Sequence, residues 1–325
     1  MQKFQWAWVF ILCHSLVLIG CSSEQEKWQQ QLDQQAVISE AKIERLKQHI
    51  DAGHIANTRL LSQYAEIIRQ DNPELSELSY ALAQDANPDG PIVRALESRL
   101  SDAKSDINQV VTMGHEQVNK VYQELSAIEA AAAPDTYGMM LSDPINVLAD
   151  MSQGKLARVA ALSAEASARI NDAEDFGPGS QLVGNPQYGN WQTNSSGNSF
   201  WHWYGQYAFF SSMFRSPIGY GNWGRNRDYS YYNDYGRSTY TSPSQRKNQQ
   251  STERSTRQKF KKSGQRFSSP YANTKQTTSA VARKSSKFQS RSLARSNTAK
   301  STASSTTSSY RNSSYQSSRS RFGGK

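Results

Sequence analysis

The chain has 325 residues, with 37 Lys and Arg against 28 Asp and Glu, a formal net charge of +9, and only two cysteines. Both cysteines, Cys13 and Cys21, lie in the first 21 residues. The rest of the chain therefore cannot build a disulfide framework, a metal–thiolate site or a cysteine nucleophile. The charge is sorted along the chain: residues 22–175 hold 13 Lys/Arg against 25 Asp/Glu, residues 176–240 hold 4 against 2, and residues 241–325 hold 19 against 1. Three segments with different roles are expected from that asymmetry.

Lys3 opens the chain, and Trp6 to Gly20 is an almost uninterrupted apolar run of 15 residues. That length suits the core of a signal peptide and falls short of the roughly 20 residues of a transmembrane helix. The run ends in Leu18-Ile19-Gly20-Cys21. This resembles the lipobox of bacterial lipoproteins: a Leu, a variable residue, a small residue, then Cys. The resemblance covers the leader at 1–20 alone. It implies cleavage between Gly20 and Cys21, and lipidation of Cys21 by a diacylglyceryl thioether and an amide-linked acyl chain. The implied partner is a membrane, held through the lipid. Ser22 and Ser23 stand where an aspartate would mark inner-membrane retention, which implies an outer-membrane location facing the periplasm in a Gram-negative host. No later stretch offers about 18 apolar residues for a second span.

Residues 21–175 are expected to form an acidic helical bundle. From Leu32, a stripe at three- and four-residue steps runs through Ala36, Ser39, Ile43, Leu46 and Ile50, and on past Gly53 and Asn57 to Leu60, Tyr64 and Ile67. Asn72-Pro73 reads as a cap and first position of a short helix with Leu75, Leu78 and Leu82. A third helix is expected from Pro91 to Ala133, continuous through Gly114. Asp143-Pro144 repeats the cap-plus-proline start of a last helix with Ile145, Leu148, Met151, Val159, Leu162, Ala166 and Ile170. The expected fold class is mostly α: an elongated antiparallel helical bundle or coiled coil, which also suits a homo-oligomer or a helical protein partner.

Residues 176–240 change character. Eighteen of these 65 residues are aromatic, spaced by Gly, Asn and Ser, while aliphatic residues shrink to Leu182, Val183 and Ile218. Three readings stand side by side: a sugar-binding surface, a lipid-interfacial patch, and rings that pack on one another or on the bundle. The residues that would carry aromatic binding are Trp201, Trp203, Tyr204, Tyr207 and Trp223. Residues 241–325 are rich in Ser, Thr, Lys and Arg, too poor in aliphatic residues to offset the entropy of folding, and are expected to form a disordered basic tail. Its clusters, Lys259, Lys261 and Lys262, then Arg283, Lys284 and Lys287, would meet a polyanion.

No catalytic, metal or cofactor constellation is expected. His49 and His54 do not share a helix face, and Gly219-Tyr220-Gly221-Asn222-Trp223-Gly224 lacks the strand–turn–helix setting of a dinucleotide loop. The functional expectation is a non-enzymatic, membrane-anchored envelope lipoprotein, structural or adaptor in role. Its basic tail would contact peptidoglycan, lipopolysaccharide or anionic lipid, and nucleic acid is not expected as a partner. The alternative is a carbohydrate- or cell-wall-binding lipoprotein that uses the aromatic segment.

Overall fold

A computed structural model describes residues 23–159, 176–214 and 216–271. It is mostly helical, with one small two-stranded sheet. The leader with Gly20 and Cys21, the end of the last expected stripe (Leu162, Ala166 and Ile170), and the basic residues Arg283, Lys284 and Lys287 lie outside the described residues.

Helix α1 (Glu24–Asp51) opens with a capping box in which Ser23 Oγ accepts from the Glu26 amide at 3.2 Å and Glu26 accepts from the Ser23 amide at 2.9 Å. Its buried stripe is the expected one, Leu32, Ala36, Ser39, Ile43, Leu46 and Ile50, with Gln35 added. Helix α1 does not continue through Gly53. That glycine turns at φ +62°, and α2 (Ala56–Asp71) starts afresh. Of the expected stripe α2 buries Asn57 and Leu60; farther along, Ala65 and Ile68 are buried while Ile67 is exposed. Asn72 does not cap with its side chain; Pro73–Leu75 form a 3-10 turn ahead of α3 (Ser76–Ala83).

The long third helix is also two helices. α4 (Pro91–Met113) and α5 (His115–Ala131) meet at Gly114, whose φ of +97° reverses the chain. The apolar rhythm runs unbroken across Gly114 because each half needs the same face, and the glycine lets those faces close on each other. Lys47 pairs with Glu97 and Lys104 with Glu40, so α4 runs antiparallel to α1. Arg99 meets Glu124 at 2.6 Å, buried, on the α4–α5 hairpin. Ser39 fills the polar gap of the α1 stripe, donating to the Gln35 and Leu125 carbonyls at 2.8 and 2.9 Å. A small side chain there brings α1 and α5 close and leaves no buried hydroxyl unpaired.

Helices α6 (Pro134–Met140) and α7 (Ser142–Met151) follow, and α7 packs on α2. Asp143 does not cap its own helix, which already begins at Ser142. It is fully buried and reaches into the aromatic segment, accepting from Ser230 Oγ at 2.8 Å and from the Tyr231 and Tyr232 amides at 2.8 and 3.0 Å. It thereby caps the helical stretch of Tyr231, the π-turn Tyr232–Gly236 and α10 (Arg237–Tyr240).

The aromatic segment builds a core from rings. Strand β1 (Gly189–Thr193) pairs antiparallel with β2 (Ser199–Trp203), placing Trp191 opposite Trp201. Short helices α8 (Phe210–Met213) and α9 (Tyr220–Asn226) follow. Tyr188, Phe210, Tyr220, Trp223 and Tyr232 are completely or almost completely buried. Trp191 meets Trp201, Tyr220 and Trp223 at ring centroid distances of 4.8–5.1 Å, mainly edge to face or tilted. This core is continuous with that of the helices. Tyr207 donates to the Ala81 carbonyl at 3.3 Å, Tyr240 to the Ala131 carbonyl at 2.9 Å, and Tyr188 to Asp85 at 3.1 Å.

Gly184 shows how tight this seam is. It sits at φ +88°, and a Cβ there would lie 2.6 Å from the Trp223 ring and 2.8 Å from Asn233 Oδ1. Gly184→Ala should lower the unfolding free energy by about 2–4 kcal/mol, from left-handed backbone strain plus overpacking. Urea denaturation measures it, and an unchanged midpoint would mean that the seam yields freely.

The expected start of the disordered tail at 241 is corrected. Helix α11 (Pro243–Lys262) follows at once, opened by a capping box in which Ser242 Oγ accepts from the Gln245 amide and Gln245 accepts from the Ser242 amide. Composition misjudged it because the helix needs few apolar residues of its own. It buries Gln249 and Thr256, and the aromatic core supplies the remaining surface.

Candidate functional site: a basic helix beside an aromatic cleft

Helix α11 carries Arg246, Lys247, Arg254, Arg257, Lys259, Lys261 and Lys262 against one acid, Glu253. Its inner side is tied to the aromatic unit. Gln249 Nε2 donates to the Tyr232 hydroxyl at 2.9 Å, and Gln249 Oε1 accepts from Arg237 Nε at 2.7 Å. Burial pushes the Tyr232 hydroxyl above the ordinary tyrosine range, against the hydrogen bonds from Thr241 and Gln249. Phe260 lies over Gly221, where a Cβ would be 2.8 Å from its ring, and meets Phe267 at 5.5 Å.

The chain beyond the helix folds back. Arg237 stacks on the Tyr271 ring at 3.5 Å, and Arg227, buried and paired with Asp234, donates to the Pro270 carbonyl at 2.8 Å. With its inner side committed, α11 leaves Lys247, Arg254, Arg257, Lys259, Lys261 and Lys262 exposed, whereas Arg246 is half-buried and donates to the Ser238 and Thr241 carbonyls. Lys261 and Lys262 are exposed in its last turn, where the helix dipole favours positive charge. Lys259 is exposed too, but its ammonium donates to Asn198 and to the Ser196 carbonyl in the β1–β2 turn.

The aromatic candidates separate. Trp201, Trp203, Tyr207 and Trp223 are buried, which withdraws most of their faces from any partner. Tyr204 remains 42% exposed, and burial of the rest of the ring pushes its hydroxyl pKa up. His202 points outward from β2 beside two inward tryptophans.

Two adjoining cavities flank the start of α11. The first, about 240 Å³, lies between α4 and the Asn185–Gln187 loop and includes Leu96, Arg99, Asp102, Tyr240 and Ser242. The second, about 280 Å³, lies between the β1–β2 sheet and α11 and includes Asn190, Trp191, Trp201, Tyr204 and Asn248. Pro186 and Gln245 line both. Sequence reasoning missed Arg99, Asn185, Gln245 and Asn248. Ser242-Pro243-Ser244-Gln245 was a readable helix start, since a Ser followed three residues later by Gln is a capping-box signature. Nothing in the sequence marked Arg99 or Asn185.

Among the described residues, no group of three or more His, Cys, Asp or Glu is placed to hold a metal ion, and no helix is long and apolar enough to cross a membrane. Comparison with protein-family models, with curated proteins and with solved structures finds no match.

Proposed function

We propose that this chain is a non-enzymatic envelope lipoprotein, anchored through Cys21, that acts as a structural or adaptor protein. Its basic C-terminal part contacts an anionic envelope polymer or membrane. In a Gram-negative host it would sit at the outer membrane and face the periplasm. The leader ending in Leu18-Ile19-Gly20-Cys21 supports the anchor. In the same reading α1, α4 and α5 form an elongated, coiled-coil-like spacer, available to a second copy or a helical partner.

The observation that carries the contact role is the segregated charge. Six of the seven cations of helix α11 are exposed, and residues 272–325 continue with 11 Lys and Arg and no Asp or Glu. Each cation near an anionic membrane surface adds about 1 kcal/mol, and that attraction is screened by salt.

Co-sedimentation of the purified chain with peptidoglycan sacculi and with anionic vesicles, across a salt series, tests this reading. A chain ending at Tyr271 is the right comparison, because it keeps α11 and the contacts described for it, whereas a stop at Tyr240 would remove the helix. Binding should fall steeply with salt and weaken on truncation. Binding indifferent to both would overturn the cationic contact.

A further inference from the structure

The seven cations of α11 divide into two sets. Arg246 donates to the Ser238 and Thr241 carbonyls. Arg257 pairs with Glu253 at 2.7 Å and lies 5.7 Å from the centre of the Phe267 ring. Lys259 is tied to the β1–β2 turn through Asn198 and the Ser196 carbonyl. The other four, Lys247, Arg254, Lys261 and Lys262, are exposed and have no polar partner among the described residues.

Three of those four stand in line. Lys247, Arg254 and Lys261 recur every seven residues, close to two turns, so they follow one another about 10 Å apart and span about 21 Å of the helix. Gln249 and Thr256, the two buried residues of α11, each come two positions after one of these cations, about 200° round the helix. The row therefore runs along the crest turned away from the fold. Between the cations the crest carries Gln250, Ser251 and Gln258, all exposed. The single acid of the helix, Glu253, is half-buried on the flank and held by Arg257.

This chemistry selects among polyanions. A helix that settles into a bilayer interface turns Trp, Phe or Leu toward the lipid. The crest has no apolar residue, and the one ring of the helix, Phe260, is turned in over Gly221. Adsorption on a plane of anionic headgroups follows the number of cations near the surface, with no premium on their alignment. A polymer lying along α11 instead meets cation, carboxamide and hydroxyl in turn. Its complement carries well-separated anionic groups with neutral hydrogen-bonding units between them. A glycan with a carboxylate on every second sugar has that pattern.

We propose, resting on the cationic contact above, that the outer crest of α11 is the docking line for a linear acidic glycan. Its carboxylates pair with Lys247, Arg254 and Lys261, and Gln250, Ser251 and Gln258 hydrogen-bond the neutral sugars between them.

Titration calorimetry of the purified chain with hyaluronan, a linear glycan with one carboxylate per disaccharide, tests the line beside co-sedimentation with phosphatidylglycerol vesicles, both at low salt. Lys247→Gln, Arg254→Gln and Lys261→Gln together should weaken hyaluronan binding about tenfold. Arg254→Ser combined with Ser255→Arg keeps composition and net charge but moves the middle cation about 100° out of line. That exchange should weaken hyaluronan binding about threefold and leave vesicle binding as in the parent. All these positions are exposed, so the melting temperature should stay at the parent value. Hyaluronan affinity unchanged in either variant would overturn the docking line and leave the cationic contact standing. A parent chain that binds vesicles but not hyaluronan would overturn it too and make the membrane the partner. Binding to neither would overturn the cationic contact as well.

Discussion

Trp223→Ala is expected to lower the unfolding free energy by about 3–5 kcal/mol, the range for truncating a buried Trp or Phe. Trp223 is 1% exposed and stands at the junction of three parts of the chain. It meets Trp191 of β1 at 5.1 Å, Tyr220 of its own helix at 5.9 Å and Tyr271 of the returning C-terminal stretch at 6.1 Å. Rigid rings cannot collapse into the space left behind, so the cavity penalty stays near its full value. The same change should loosen the stretch after α11, because Phe267 stacks on Tyr220 and Tyr271 loses its contact with Trp223. Urea unfolding gives the stability change, and loss of near-ultraviolet circular dichroism reports the ring packing. A cost below about 1 kcal/mol would show that the rings do not form a packed core.

Asp143→Ala is expected to cost about 3 kcal/mol, because it leaves the Ser230 hydroxyl and the Tyr231 and Tyr232 amides without their acceptor. The variant also tests a pH dependence. Burial pushes Asp143 up to about 7, against the pull of those three donors. Asp85 behaves alike: burial raises it to about 7 while the Tyr188 hydroxyl and the Ile92 amide pull it down. An unfolded aspartate titrates near 3.9. Between about pH 4 and pH 7 the folded chain therefore holds protons that the unfolded chain gives up. The contribution of each group is fully present below about pH 4 and is lost as pH rises through about 7. Thermal melts from pH 4 to 8 should show a shallower stabilisation toward acid in Asp143→Ala than in the parent. Parallel pH profiles would mean that Asp143 stays ionised throughout.

The helical half was legible wherever one helix buries one stripe. Leu32, Ala36, Ser39, Ile43, Leu46 and Ile50 lie on the face that the spacing assigned to them. The breaks at Gly53 and Gly114 were not legible, because an apolar rhythm continues across a reversal whenever both arms face the same core. A glycine in mid-pattern is compatible with a tolerated gap and with a left-handed turn, and only the packing of the arms chooses between them. Asp143 misled for a related reason. Asp before Pro is a genuine helix-start signal, yet its carboxylate caps a helical stretch almost ninety residues later.

What the sequence by itself determined is the mostly helical character of residues 24–151, the abrupt change of composition near 176 and the segregation of charge, all properties of local pattern and residue count. Tertiary structure alone decided that the aromatic segment shares one core with the helices, and that α11 is held on it through Gln249, Thr256 and Phe260. It also decided that Arg99 and Asn185 line one cavity. The physical reason is the origin of each stabilisation. An amphipathic stripe announces its burial within a few residues, whereas the surface that stabilises α11, and the juxtaposition of Arg99 with Asn185, come from chain far away in sequence.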